Sequence, residues 1–138
     1  MTTTLLEHCL IRSLRELHLP PDDYVVFGSA PLLAHGLCGE VRDLDIVVRD
    51  SLWCQISSYG KAARGEITGD PVRTVCDGRI QFSQRWVSAD WDTDDLIERA
   101  DLIAGIRFAS LSDVLAYKRS LNRPKDRQDI ATLIMHGS

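Results

Sequence analysis

Asp43 and Asp45 stand two residues apart in the run Asp43-Leu44-Asp45-Ile46-Val47-Val48, and no other residues of the chain point so directly to chemistry. On a strand, period-two geometry puts both carboxylates on one face and Leu44, Ile46 and Val48 on the other. Carboxylates so placed repel each other and lose hydration. A divalent cation removes both problems. Mg²⁺ (or Mn²⁺) suits oxygen ligands of this kind and is usually shared with substrate phosphates. Upstream, the apolar run Val25-Val26-Phe27 leads into Gly28-Ser29, and thirteen residues separate Ser29 from Asp43. Gly28 permits a sharp turn and the close approach of a phosphate. Ser29 offers a hydroxyl at the start of a helix whose first turn carries Pro31 and whose free N–H groups point at an anion. A phosphate-cradling turn and paired metal carboxylates together describe a site for a metal-bound nucleoside triphosphate.

The competing reading is a solvated Asp-x-Asp, with Asp43 capping the strand and Asp45 paired to Arg42 or Arg49. The order of strand, Gly-Ser, helix and then Asp-x-Asp inside an apolar strand favours the site.

The elements that position these residues follow from patterning. Residues 4 to 18 read as a helix with Leu5, Leu6, Cys9, Leu10, Leu14 and Leu17 inward, ended by Pro20-Pro21. Val25 to Phe27 is a strand buried on both faces, and the helix after it places Leu32, Leu33 and Leu37 on one face. Val72 to Cys76 and Arg79 to Trp86 are strands joined by the hairpin pair Asp77-Gly78. Ile103 to Phe108 is a further strand. Ser110 with Asp113 forms a capping pair opening a helix to about Leu121, and Pro124 starts the last helix with Asp126 and Asp129 in its first turns. These elements predict a single α/β (α+β) domain over 1–138, a small mixed sheet flanked by helices.

From Tyr24 to Val48 the chain resembles the DNA polymerase β-like nucleotidyltransferase superfamily, in its small single-domain branch. That branch includes antibiotic nucleotidyltransferases, minimal nucleotidyltransferases of toxin–antitoxin pairs and AbiEii-like toxins. The segment from Ser110 to Lys118 and on through Asn122-Arg123-Pro124-Lys125-Asp126-Arg127-Gln128-Asp129 is also similar to AbiEii-like proteins, where a helix lysine precedes an Arg-x-Lys-Asp segment. The resemblance implies a nucleotidyltransferase fold that moves an NMP from an NTP to an acceptor hydroxyl. It implies Asp43 and Asp45 as metal ligands, Gly28, Ser29, Lys118 and Arg123 as triphosphate contacts, and Lys118 and Asp126 beside the two aspartates in catalysis.

Lys118 lies in the middle of the apolar stripe of Leu111, Val114, Leu115 and Leu121, so its ammonium either snorkels to the edge of the core or enters a polar cavity. In the cavity it would neutralise β- and γ-phosphate charge. Arg123 reads as a second such cation or as a solvated loop residue, and Asp126 as a site acid or a helix-start carboxylate. The superfamily's pattern departs at the third acid. On the strand Arg79 to Trp86 that position falls to Gln81, which neither binds a metal as a carboxylate does nor takes a proton. The alternative is therefore a catalytically impaired binding module, for instance half of a toxin–antitoxin pair.

Composition narrows the classes. The net charge of −4 and the pI near 5.5 argue against a general nucleic-acid binder and favour a small-molecule or protein acceptor. No apolar run reaches the length of a membrane span. Cys9, Cys38, Cys54 and Cys76 show no metal spacing and read as reduced, buried thiols of a cytoplasmic protein.

Overall fold

The computed structural model describes residues 5–37, 41–58, 60–65, 70–85 and 91–136. The expected helix start at residue 4, Cys38 and the strand end at Trp86 lie outside these residues. In chain order the elements are α1 (Cys9–Glu16), β1 (Tyr24–Phe27), α2 (Ala30–Ala34), β2 (Leu44–Val48), α3 (Asp50–Ile56), β3 (Lys61–Arg64), β4 (Pro71–Val75) and β5 (Ile80–Ser83). There follow α4 (Thr93–Arg99), β6 (Asp101–Ile103), β7 (Ile106–Phe108), α5 (Leu111–Leu121) and α6 (Arg127–His136). Short 3₁₀ turns at Leu5–Glu7, Pro21–Asp23 and Pro124–Asp126 precede α1, β1 and α6. The strands form one mixed sheet in the order β3-β4-β5-β2-β1-β7-β6. The fold is α+β.

Strand parity divides the core in two. Val26, Leu44, Ile46, Val48, Ile80, Phe82, Ile106 and Phe108 face Leu10, Ile11 and Leu14 of α1 and Leu52 and Ile56 of α3. Val25, Phe27 and Val47 face Leu96 and Ile97 of α4, Val114 and Tyr117 of α5 and Leu133 of α6. Asp45 shares the parity of Val47, so it lies on the second face, at the end where the apolar layer gives way to an open cleft. Burying a side chain such as Phe82 or Leu96 contributes about 1.5–3 kcal/mol, so each layer anchors its helices with a handful of such groups.

Several expectations are corrected. The first helix is shorter than residues 4 to 18, because His8 caps it by accepting from the Leu10 N–H at 3.2 Å and His18 turns left-handed beyond its end. Ile11 is fully buried on it, and Cys9 is exposed. Leu32 and Leu33 do not share a face: Leu33 enters the α1 layer while Leu32 and Leu37 join the α5 layer. Neighbouring helical residues diverge by about 100°, and α2 lies where both layers can receive it. Residues 103 to 108 form two strands rather than one, folded over Ala104 and Gly105, both at positive φ. Helix α3 and strand β3 had no counterpart in the sequence reading. Cys9, Cys54 and Cys76 are free and exposed, not buried.

Other expectations agree. Asp77-Gly78 marks the β4–β5 turn as expected, but Val75 pairs with Ile80 and Cys76, Asp77 and Gly78 all have positive φ, at 54°, 57° and 84°, so the connection is a four-residue loop and not a two-residue hairpin. The Arg79 N–H closes that turn onto the Cys76 carbonyl at 3.1 Å, so Cys76 and Arg79 belong to the turn and not to the strands. Ser110 caps α5, its Oγ accepting from the Asp113 N–H at 3.1 Å. Ser110→Ala is therefore expected to lower folding stability by about 1 kcal/mol in a denaturant titration; an unchanged midpoint would show that the cap contributes nothing to α5.

Candidate functional site

A cleft of about 900 Å³ opens where the C-terminal end of β1, the start of β2 and the middle of β5 meet α5 and the α5–α6 connection. Gly28, Ser29, Asp43, Asp45, Lys118, Arg123 and Asp126 all line it, so every residue singled out from the sequence is brought to one place. Gln81, Tyr117, Lys125 and Asp129 line it as well.

The sheet positions the acids. Asp45 pairs in register with Phe27 of β1 on one side and Gln81 of β5 on the other. The backbone at Gly28 turns left-handed at φ 77°, immediately above this row, and a Cβ there would stand 3.6 Å from Asp45 Oδ2. The turn conformation, more than the space, calls for glycine. Asp43 precedes β2 instead of lying in it, and its side chain is exposed. Arg79 Nε donates to the Arg42 carbonyl at 2.9 Å, which pins the approach to Asp43 against the β4–β5 turn. The alternative pairing of Asp45 with Arg49 does not form, because Arg49 engages Asp23 and Asp94.

Burial pushes the Asp45 carboxyl up to about 6; the Asp43 charge adds to the rise, while Lys125, Arg123 and Lys118 oppose it. This pair is the place where a cation would relieve a real cost. Two carboxylates with phosphate oxygens and water completing the shell match the habits of Mg²⁺. Among the described residues no cluster of three acidic, histidine or cysteine side chains gathers as a self-sufficient metal cage. Two carboxylates alone would leave most of an octahedral shell to other oxygen ligands.

The basic side of the cleft is an ion cluster at the α5–α6 corner. Lys118 is 4% exposed, and its Nζ lies 3.3 Å from Asp126 Oδ1 and 3.2 Å from Asp129 Oδ2. The lysine therefore enters the polar cavity and does not snorkel. Arg123 grips Asp126 with Nε at 2.7 Å and a second nitrogen at 3.2 Å. Desolvation works to raise the Asp126 carboxyl, but the Arg123 hydrogen bond and the charges of Lys118 and Arg123 outweigh it and hold the group below its ordinary value. Asp126 is thereby ionised with both oxygens engaged, which suits it to placing cations and not to accepting a proton.

Sequence reasoning gave no site role to Tyr117 or Asp129. Tyr117 packs edge-on to Phe27 with ring centroids 5.5 Å apart and hydrogen-bonds the Gly28 backbone, tying α5 to the glycine turn. Burial pushes its phenol well above the ordinary range, helped by the charges of Asp45 and Asp126. Its place, one residue before Lys118 on a helix facing β1, was the available clue. Asp129 lies three residues beyond Asp126, one helical turn on, and the repeat Asp-x-x-Asp could have marked it.

Comparison of the chain with protein-family models finds none that matches, and comparison with curated proteins finds no similar sequence.

The raised Asp45 carboxyl has a consequence for folding. An acid whose folded value exceeds its unfolded one holds its proton more tightly when folded, so its burial cost is absent at low pH and grows as pH rises through the window from about 4 to 6. Metal-free Asp45→Asn is therefore expected to melt at a higher temperature than the wild type at pH 8, with the difference vanishing near pH 4. A variant equally or less stable at pH 8 would show that Asp45 is not desolvated.

Proposed function

We propose that the protein is a nucleotidyltransferase, moving an NMP from a Mg²⁺-bound NTP to a hydroxyl of a small-molecule or protein acceptor. One observation carries this reading: the glycine-serine turn, a desolvated carboxylate beside a second one, and a buried lysine all face a single cleft. It is the arrangement that the resemblance to the DNA polymerase β-like superfamily leads one to expect.

In this reading the backbone turn at Gly28 and the Ser29 hydroxyl receive phosphate oxygens. A divalent cation held by Asp43 and Asp45 would supply charge neutralisation at the reacting phosphate. Lys118, with Arg123 and Lys125 beside it on the cleft wall, faces the negative charge that builds on the departing pyrophosphate. Asp126 keeps Lys118 and Arg123 in place. The acceptor hydroxyl attacks the α-phosphorus in line with the leaving oxygen, and the walls of the cleft hold the two reactants in that geometry. The cleft is wide enough for a nucleotide with a second molecule beside it.

A second reading, from another class, is favoured by a specific position. Gln81 is the residue in register with Asp45 on β5, where an acid that activates the acceptor would be expected. A site with the nucleotide half alone suits a binding module, such as one half of a toxin–antitoxin pair. A reducing compartment such as the cytoplasm fits the same proposal, since Cys9, Cys54 and Cys76 are free and exposed. No helix among the described residues is long and apolar enough to cross a membrane.

Two measurements test this. Calorimetry should show NTP binding that requires Mg²⁺ and is lost in Asp45→Asn; equal binding in the presence of EDTA would remove the metal site from the proposal. Protein, Mg²⁺ and α-labelled NTPs incubated with cell extract should label a discrete acceptor, and Asp43→Ala should abolish the label. Gln81→Glu is expected to raise the rate, by up to the roughly hundredfold typical of a restored general base. If no NTP gives an Asp43-dependent label, and Gln81→Glu is equally silent, the binding module is the correct reading.

A further inference from the structure

Ser29 adjoins the start of α2, yet its hydroxyl does not cap that helix. Its Oγ donates across the cleft to Asp129 Oδ2 at 2.7 Å. The same oxygen lies 3.2 Å from Lys118 Nζ. One carboxylate oxygen thus receives both the hydroxyl and the ammonium that the proposed function assigns to a phosphate oxygen. A carboxylate oxygen and a phosphate oxygen are alike in charge sign and in accepting power toward such donors.

The two acids of the cluster differ in how firmly they are held. Asp126 has both oxygens engaged, by Arg123 and Lys118, and its side chain is 2% exposed. Asp129 sits in the first turn of α6 at the cleft, with its side chain 20% exposed. Rotation about its side-chain bonds would carry its carboxylate toward water without opening the core. Asp126 would have to break a bidentate arginine pair to do the same.

We infer that Asp129 is an internal competitor for the phosphate, a residue that determines specificity by holding Ser29 and Lys118 until a ligand of sufficient negative charge displaces it. The inference rests on the triphosphate reading of the cleft. A monophosphate makes few contacts with which to offset the lost carboxylate bonds and the repulsion from a nearby anion. A triphosphate chain gains Arg123 and Lys125 as well as Ser29 and Lys118, and it brings its own cation. Asp129 therefore favours long polyphosphates over the short phosphates left after transfer, while lowering affinity for both.

Titration of wild type and Asp129→Asn with tripolyphosphate, an NTP and the matching NMP, each with Mg²⁺, tests this. The asparagine keeps the size of the side chain and an acceptor for the Ser29 hydroxyl but removes the charge. Asp129→Asn is expected to bind tripolyphosphate about tenfold more tightly, on the scale of one charge-assisted hydrogen bond, and to gain at least as much for the NMP, so the preference for the longer chain narrows. Asp129→Ser, too short to reach across, should shift affinity in the same direction and serves if Asp129→Asn does not fold. If wild type binds the NTP but the folded variants bind tripolyphosphate equally or less well, Asp129 only positions Lys118; the inference then falls and the triphosphate reading stands. Loss of fold in both variants makes Asp129 a structural anchor and overturns the inference too. If neither wild type nor variant binds any NTP, both the reading and the inference are gone.

Discussion

A buried carboxylate stays ionised only where cations surround it, and the corner between α5 and α6 is built around one, Asp126. Its side chain is sealed from solvent and gripped by Arg123 and Lys118. Breaking a buried pair by removing one partner typically costs about 3–5 kcal/mol, because the remaining charge has nowhere to go. The corner is therefore an all-or-none unit. Asn122 ends α5 in the left-handed conformation, and Pro124 opens the turn into α6, so the backbone delivers Arg123 and Asp126 to the same spot three residues apart. The cleft inherits its cations from this arrangement, and α5 carries the tyrosine that reaches back to the glycine turn.

The opposite wall follows another rule. At the centre of the sheet β1 and β2 are buried on both faces, so a polar group on them finds room only near a strand end. Asp45 is placed there, one step from Val47 on the same face, beside Phe27 and Gln81 in neighbouring strands. Arg99 ties α4 to α5 through Asp113 at 3.1 and 3.2 Å, so the helices over that face are braced against each other below the cleft. The acidic and basic walls are thus fixed by different devices, strand register for one and an ion cluster for the other. Tyr117 touches both.

Much of this was legible in the sequence where a local rule has a local cause. The turn at Asp77-Gly78, the Ser110 cap and the alternation of β2 and β5 each depend on a few adjacent residues. The seven candidate site residues reach one cleft because the order of elements leaves little choice of where β1, β2 and α5 meet. What sequence reasoning missed depended on packing. The Ala104–Gly105 turn carries no preferred hairpin pair in its first position, so residues 103 to 108 read as one strand. Cys9 and Cys54 look apolar by their neighbours, yet the helices turn them outward. Asp129 looked like a helix-start acid, since nothing local indicates that its partner lies 100 residues away at Ser29.

One edge of the sheet is β3, with all four of its residues, Lys61, Ala62, Ala63 and Arg64, exposed. An open strand edge invites a second chain to extend the ladder, and crowded solutions of such proteins are prone to clumping. Here a cation stands at each end of a strand only four residues long. A neighbouring strand that docked along it would meet a cation at each end in return for a handful of backbone bonds. Alanine in the middle offers it little side-chain grip. The arrangement gives the molecule a short, charged margin, which favours colloidal solubility over sheet-to-sheet growth.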